Sequence, residues 1–343
     1  MNKMKKLLSL VLCMMLSLFA LPLLTVSRPA AGTDEPAART AADEPAALPA
    51  AAPESWDQRQ TVTVCVDGEK RAFDLRSYLI GVMAAEMPAS FPEEALKAQA
   101  VAARTYTLYK QALYGADKMP ESHHGAQLCT DPNHCKAWCD VAVQAASLWG
   151  DSSALYLEKL TAAVDGTDGM ILVYEGKPIA AVFHSASAGR TENAADVWGT
   201  DVPYLRSVES PGGEQSPKYR AEVRVSQSAF AAAMKALEPS CSFSGAAAGW
   251  FRDSRRSEAG GVISVVVGGA RVRGALVRQA AGLNSANFRV AADGADLVFT
   301  TTGCGHGVGM SQYGARALAR EGRDYTEILL HYYSGAQLLK KSA

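Results

Sequence analysis

Ser77-Tyr-Leu-Ile-Gly-Val-Met-Ala-Ala-Glu-Met87, stopped by Pro88, sets an acid on the apolar side of a short helix. Leu79, Val82, Met83 and Glu86 fall at offsets of three, four and seven, so one face carries three apolar side chains and one carboxylate. Loss of hydration penalises the charged form, so the pKa of Glu86 should rise, as a general acid working near neutral pH requires. The competing reading is a helix C-terminal Glu whose carboxylate snorkels past the apolar stripe to solvent.

A second helix follows directly. Ser90-Phe-Pro-Glu93 has capping-box spacing with Pro92 in the first turn, and residues 93–114 then run without Gly or Pro until Gly115. Leu96, Ala100, Ala103, Arg104 and Thr107 share one face, which puts a permanently charged guanidinium where packing is expected. Arg104 should therefore have an acidic or ligand partner. Upstream, 61–66 alternates, Asp67-Gly68 marks a turn and 70–75 resumes, an opening hairpin. Downstream, 170–174 with 178–183 read as a second hairpin, and 221–225, 261–267, 270–277 and 288–290 with 296–301 as further strands. Helices at 312–321 and 326–333 close the chain. Helices gather early and strands late, which predicts an α+β fold, a helical segment carrying Glu86 packed on a β-rich region.

The chain has 343 residues, 48% of them hydrophobic, enough for one large core or two packed subdomains across 61–343. Its 34 Lys and Arg are balanced by 35 Asp and Glu, so no basic excess points to nucleic acid. Lys3, Lys5 and Lys6 precede a run from Leu7 to Val26 that is apolar apart from Ser9, Ser17 and Thr25. Residues 1–26 are expected to be a single N-terminal membrane anchor or export signal, with the folded part outside the cytoplasm; cleavage near 29–32 is the alternative to an uncleaved anchor. Residues 27–60 are rich in Ala, Pro, Glu and Asp and are expected to form a disordered tether.

His123, Cys129, His134 and Cys135 lie within thirteen residues. Two imidazoles and two thiolates suit one tetrahedral zinc ion, structural because no coordination position stays open. The alternative is disulfide chemistry, since Cys65, Cys129, Cys135, Cys139, Cys241 and Cys304 make an even number to pair. That account leaves the two His residues unexplained. His124 and Cys139 are substitute ligands.

Gly303-Cys-Gly-His-Gly-Val-Gly-Met-Ser-Gln312 places four glycines at alternate positions. Removing side chains from one side of the backbone would let a flat ligand such as a sugar ring approach the amides; a tight turn with a structural His306 is the plainer reading. Neither a Walker loop nor a dinucleotide fingerprint fits. Ser311 reads as a helix cap rather than a nucleophile. Phe183-His-Ser-Ala-Ser-Ala-Gly-Arg-Thr-Glu-Asn193, Val197-Trp-Gly199 and Pro203-Tyr-Leu-Arg206 could hold a sugar at strand ends or be ordinary surface loops.

Residues 78–106, the His/Cys cluster, Ser187-Ala-Gly-Arg-Thr-Glu-Asn193, Pro203-Tyr-Leu-Arg206 and Gly305-His-Gly-Val-Gly-Met-Ser-Gln-Tyr-Gly-Ala315 together resemble the stage II sporulation protein D family, which is related to the amidase enhancers. The resemblance implies a lytic transglycosylase that cuts peptidoglycan between N-acetylmuramic acid and N-acetylglucosamine and leaves 1,6-anhydro ends. It implies catalytic roles for Glu86 and Arg104, substrate-binding roles for Tyr204, Arg206, His306 and Gln312, and a zinc held by His123, Cys129, His134 and Cys135. Arg206 stands where the family has Lys, and Cys304 where an aromatic residue often precedes the Gly-His pair. Glycan strands lacking stem peptides are the implied substrate, with a cell-wall amidase as partner at the engulfing membrane during sporulation. The rival readings are a zinc-dependent amidase or peptidase of the same polymer and a non-catalytic wall-binding amidase enhancer.

Overall fold

The computed structural model describes residues 54–115, 118–132 and 134–342; the expected anchor and nearly all of the tether lie outside them. Among the described residues no helix is long and apolar enough to cross a membrane. Folded structure begins earlier than the composition suggested. Helix α1 (Trp56–Arg59) is closed by a capping box from Ser55, and Asp57 within it is buried.

Strands β1 (Thr61–Val66) and β2 (Glu69–Asp74) form the expected hairpin, turning through Asp67 and Gly68 at φ 52° and 83°. Helix α2 (Leu75–Glu86) starts at Asp74, whose carboxylate accepts the Ser77 N–H at 2.9 Å, and stops before Pro88. Helix α3 (Glu93–Tyr114) has Pro92 itself as N-cap, without a side-chain cap. The capping box expected from Ser90 does not form, because Phe91 N–H turns back to Pro88 O at 3.0 Å and the helix begins only after Pro92. Strand β3 (Leu128–Cys129) then pairs parallel to β1, and α4 (Val141–Trp149) and α5 (Ser153–Asp165) follow.

Strand β4 (Met170–Tyr174) meets only two residues of the expected second hairpin, β5 (Lys177–Pro178). Ile179 N–H still reaches Leu172 O at 3.2 Å, but Ala181 and Val182 N–H then turn back to Ile179 O and Ala180 O at 2.8 and 2.7 Å, which ends the pairing. The chain departs to form β6 (Phe183–His184), β7 (Gly189–Arg190), α6 (Ala194–Trp198) and β8 (Glu209–Ser210). Next come β9 (Arg220–Ser226), α7 (Gln227–Leu237), β10 (Phe251–Arg256), β11 (Val262–Val267), β12 (Ala270–Arg273), α8 (Gly274–Ala281), β13 (Phe288–Asp293) and β14 (Asp296–Thr302). The strand expected over 270–277 ends at Arg273. A Cβ on Gly274 would lie 2.0 Å from Val262 O, and this close approach lets the chain turn straight into α8. Strand β15 (Met310–Ser311) pairs parallel to β6, and α9 (Gln312–Arg320), α10 (Tyr325–Tyr332) and β16 (Gln337–Lys340) complete the fold.

Two apolar cores result. Leu79 and Met83 of α2, Leu96 and Val101 of α3, Leu160 of α5, Leu172 of β4 and Leu329 and Tyr332 of α10 belong to the first. The second is built by Phe230, Trp250, Val265, Val277, Phe288 and Phe299, between sheets ordered β10-β11-β12 and β13-β14-β9. The mixed α+β class holds, with a different arrangement. The helix bearing Glu86 packs in the first core among other helices, and the β-rich part has a core of its own.

Candidate active site and metal centre

His123, Cys129, His134 and Cys135 converge, their ligand atoms all within 4.8 Å of one another. His123 Nε2 lies 3.0 Å from His134 Nδ1 and 3.4 Å from Cys135 Sγ, and Cys129 Sγ lies 3.5 Å from His134 Nδ1. Zinc bonds of about 2.0–2.3 Å would give tetrahedral edges of roughly 3.3–3.8 Å; the spacings here scatter around that range, with Cys135 Sγ 4.0 Å from His134 Nδ1, and the group could hold a metal ion after small side-chain shifts. His123 Nδ1 is 3.2 Å from Ala126 O, which fixes the ring and leaves Nε2 for a metal. Among the described residues all six cysteines are free thiols, so the disulfide alternative is not realised.

The next two residues after Cys135 reach Glu86. Ala137 N–H donates to Glu86 Oε1 at 2.9 Å, and the charge of Lys136 acts on the same carboxyl. Burial raises the Glu86 pKa, opposed by Lys136 and by the Ala137 hydrogen bond. The carboxyl is half-buried at the end of α2, neither snorkelling free nor sealed. Lys136 is itself only 8% exposed, its Nζ 3.5 Å from the Phe183 ring centroid and 4.5 Å from that of Tyr106. Burial lowers its pKa to about 8. No periodicity or spacing marks Lys136 in the sequence; only its place beside a candidate ligand could have drawn attention to it.

Gln312 comes from the far end of the chain to the same point. Its Nε2 donates to Glu86 O at 3.0 Å and to Gln99 Oε1 at 3.4 Å. Ser311 is the helix cap anticipated, accepting Gly314 N–H at 3.2 Å, and its Oγ also takes the Ser187 N–H at 3.3 Å. His306 meets both His184 and Trp198, with ring centroids 5.6 and 5.4 Å away and planes tilted by 55° and 52°. Its Nδ1 accepts Val308 N–H at 3.1 Å, and burial together with the charges of His184, Lys136 and Arg278 lowers its pKa. Trp198, 39% exposed, supplies an aromatic face beside His306 that Cys304 does not.

On the side where side chains would stand, the alternating glycines leave no room for a sugar. All four lie at positive φ, and Cβ atoms on Gly305, Gly307 and Gly309 would sit 2.7 Å from His184 Cβ, 2.6 Å from Glu192 Cγ and 2.2 Å from Val182 O. The protein's own 182–192 segment occupies the side on which a ligand was expected.

The remaining candidates are held by partners other than Glu86. Arg104 is fully buried and uses all five N–H groups, on both Asp57 oxygens, Thr167 Oγ1, Met170 O and Val164 O. Its anticipated acidic partner is Asp57, and no hydrogen bond or ion pair joins it to Glu86 among the described residues. Tyr204 Oη accepts Ala180 N–H at 3.2 Å and its ring meets Tyr174. Arg206 turns outward to Asp201.

An α+β protein with a desolvated acid at a helix end, backed by a His/Cys cluster that could hold a metal, is the class defined by this fold and site. The family model described as "Stage II sporulation protein" matches residues 68–174. Stage II sporulation protein D of Bacillus subtilis (strain 168) is 38% identical over 269 residues, covering 78% of this chain and 75% of that protein. The protein of the same name from Bacillus amyloliquefaciens is 39% identical over 264 residues, 77% of this chain and 74% of that one. A protein of Bacillus subtilis named "Amidase enhancer" is 27% identical over 311 residues, 76% of this chain and 40% of that protein. The chain belongs to the stage II sporulation protein D family.

Proposed function

We propose that the protein is a peptidoglycan lytic transglycosylase acting during sporulation, anchored to the cell membrane through its N-terminal segment with the catalytic part outside the cytoplasm. The observation that carries this reading is Glu86, whose carboxyl loses water and is held by Ala137 N–H while Gln312 fixes its backbone carbonyl. Hydrolytic glycosidases usually set two carboxylates across the bond, whereas intramolecular closure needs one acid that later acts as base. The Glu86 proton passes to the glycosidic oxygen, and the bond from that oxygen to C1 of the muramic acid breaks. The sugar's own O6 then bonds to C1, and its proton returns to the Glu86 carboxylate. Because the nucleophile is part of the substrate, its effective concentration is high and water must be kept away.

Lys136 and the Ala137 N–H steady the carboxylate form between the two proton transfers, and the exposed Trp198 face beside His306 suits the apolar side of a sugar ring. Tyr204 and Arg206 contact substrate farther along the strand. Arg104 acts from within the core, by holding Asp57 and the neighbouring backbone in place. One zinc ion held by His123, Cys129, His134 and Cys135 is a structural staple, since four protein ligands leave no place for a reacting water. The resemblance to an amidase enhancer and the need for exposed glycan suggest strands already stripped of stem peptides by a partner amidase.

Digesting denuded glycan with the full chain and identifying the new ends by mass tests this. Anhydro ends that disappear with Glu86→Gln support the lyase. Reducing ends, free stem peptides from intact wall, or turnover unaffected by Glu86→Gln overturn it.

A further inference from the structure

Residues 220–302 carry ten cationic side chains against six acidic ones, in a chain whose formal net charge is −1. Four of these cations form an array. In the β10-β11-β12 sheet Arg252 pairs with Val266 and Val266 with Arg271, while Arg255 pairs with Ser264 and Ser264 with Arg273. Register partners share a face, and Ser264 and Val266 are two apart, so all four arginines stand on one side of the sheet. The other side, with Phe251, Val265, Val267 and Val272, faces the second core.

All four arginines are exposed residues. Among the described residues no carboxylate makes an ion pair with any of them. Asp253, at the β10 bulge, contributes only its backbone carbonyl, 3.3 Å from Arg271 Nη1. Strand geometry spaces the arginine backbones about 7 Å apart along a strand and about 9.5 Å from β10 to β12. The array also leads to the site. Arg273 packs so closely on Gly199, next to Trp198, that a Cβ there would meet its guanidinium. Arg273 and His306 line one crevice with Arg190 and Glu192.

We propose that the outer face of β10-β11-β12 holds the glycan strand by its free muramic carboxylates. This rests on the glycan reading above and gives it a physical basis for strand selection. An intact stem peptide is joined through the lactyl carboxyl of muramic acid as an amide; once the peptide is removed, each disaccharide carries one free carboxylate. The strand becomes a regularly spaced polyanion, and arginine is the side chain suited to carboxylates, by bidentate hydrogen bonds as well as by charge. Long-range attraction draws the strand along the sheet, and the crevice at Arg273 brings it past Trp198 and His306 toward Glu86.

Binding is measured by co-sedimentation of the full chain carrying Glu86→Gln, so that glycan is not consumed, with denuded glycan and with the same glycan after its carboxylates are converted to methylamides. The parent is expected to bind native glycan roughly ten-fold more tightly than amidated glycan, a difference shrinking as salt rises. Changing Arg252, Arg255, Arg271 and Arg273 together to Gln should remove that preference, with melting temperature unchanged. Equal binding of both glycans by the parent overturns the proposal without recourse to any variant, as does a preference that survives the four substitutions. Loss of binding to phosphatidylglycerol vesicles with glycan binding intact also overturns it, and assigns the face to the membrane. Binding needs no turnover, so its failure is separate from a failure to find anhydro ends.

Discussion

Burial that raises the pKa of Glu86 also works against folding. Its folded value lies above the ordinary one, so the native state keeps this proton more tightly than the unfolded chain does. The stability that follows is complete below the ordinary carboxylate value of 4.5 and is lost as pH rises through the raised pKa. Glu86→Gln should therefore melt higher than the parent at neutral pH, with the difference closing below that value, while releasing no anhydro ends. Thermal melts across pH check the first half and mass analysis of ends the second. Lys136 supplies the opposing charge, so Lys136→Met should move the alkaline limit of activity upward as Glu86 holds its proton longer. A pH profile of end release that does not move would show that Lys136 serves only to pack against Phe183 and Tyr106.

Among the elements, α3 depends most on one buried pair. Arg104 and Asp57 are essentially without exposure, at 2.6 Å, so removing the acid leaves a desolvated guanidinium with half its partners. Asp57→Asn should cost about 3–5 kcal/mol in denaturant unfolding, a loss that a surface ion pair such as Arg206 with Asp201 would not show. That Arg104 needed an acid was legible from its place on the apolar face of α3. Which acid was not, because Asp57 lies in the last turn of a stretch whose composition reads as a tether. Helices α2 and α3 were legible for the same reason, a sustained helical period with Pro88 and Gly115 as punctuation. Strand β10 left no such trace: five of its six residues are exposed and most are polar, so no alternation marks it. The glycine-rich turn was recognisable as special, but what its glycines accommodate is a neighbouring segment more than a hundred residues earlier, which local sequence cannot indicate.

Across the whole molecule, the His/Cys cluster joins the two ends of the argument, because the chain that wraps it is the chain that presents Lys136 and Ala137 to Glu86. Beyond the Cys139 N–H bond to Gly81 O at 3.3 Å and the Phe73–Trp138 ring contact, little regular structure holds those groups: the described residues of 118–140 have one short helical turn and a two-residue strand, and α4 beyond them buries no residue. Stability should then be unequal. Chelation of a bound metal, or Cys135→Ser, is expected to loosen the first core locally and leave the second, with its own aromatic cluster around Phe230 and Phe299, as protected as before. Amide exchange read residue by residue checks this: Ala137 should exchange at least about ten-fold faster after metal removal, since its hydrogen bond to Glu86 follows directly on the metal-ligating residues, while amides of β11 and β14 should not change. Equal acceleration in both cores would mean that the cluster stabilises the entire fold and does not specifically position the acid. An unchanged Ala137 amide would mean that α2 holds the acid without the metal loop.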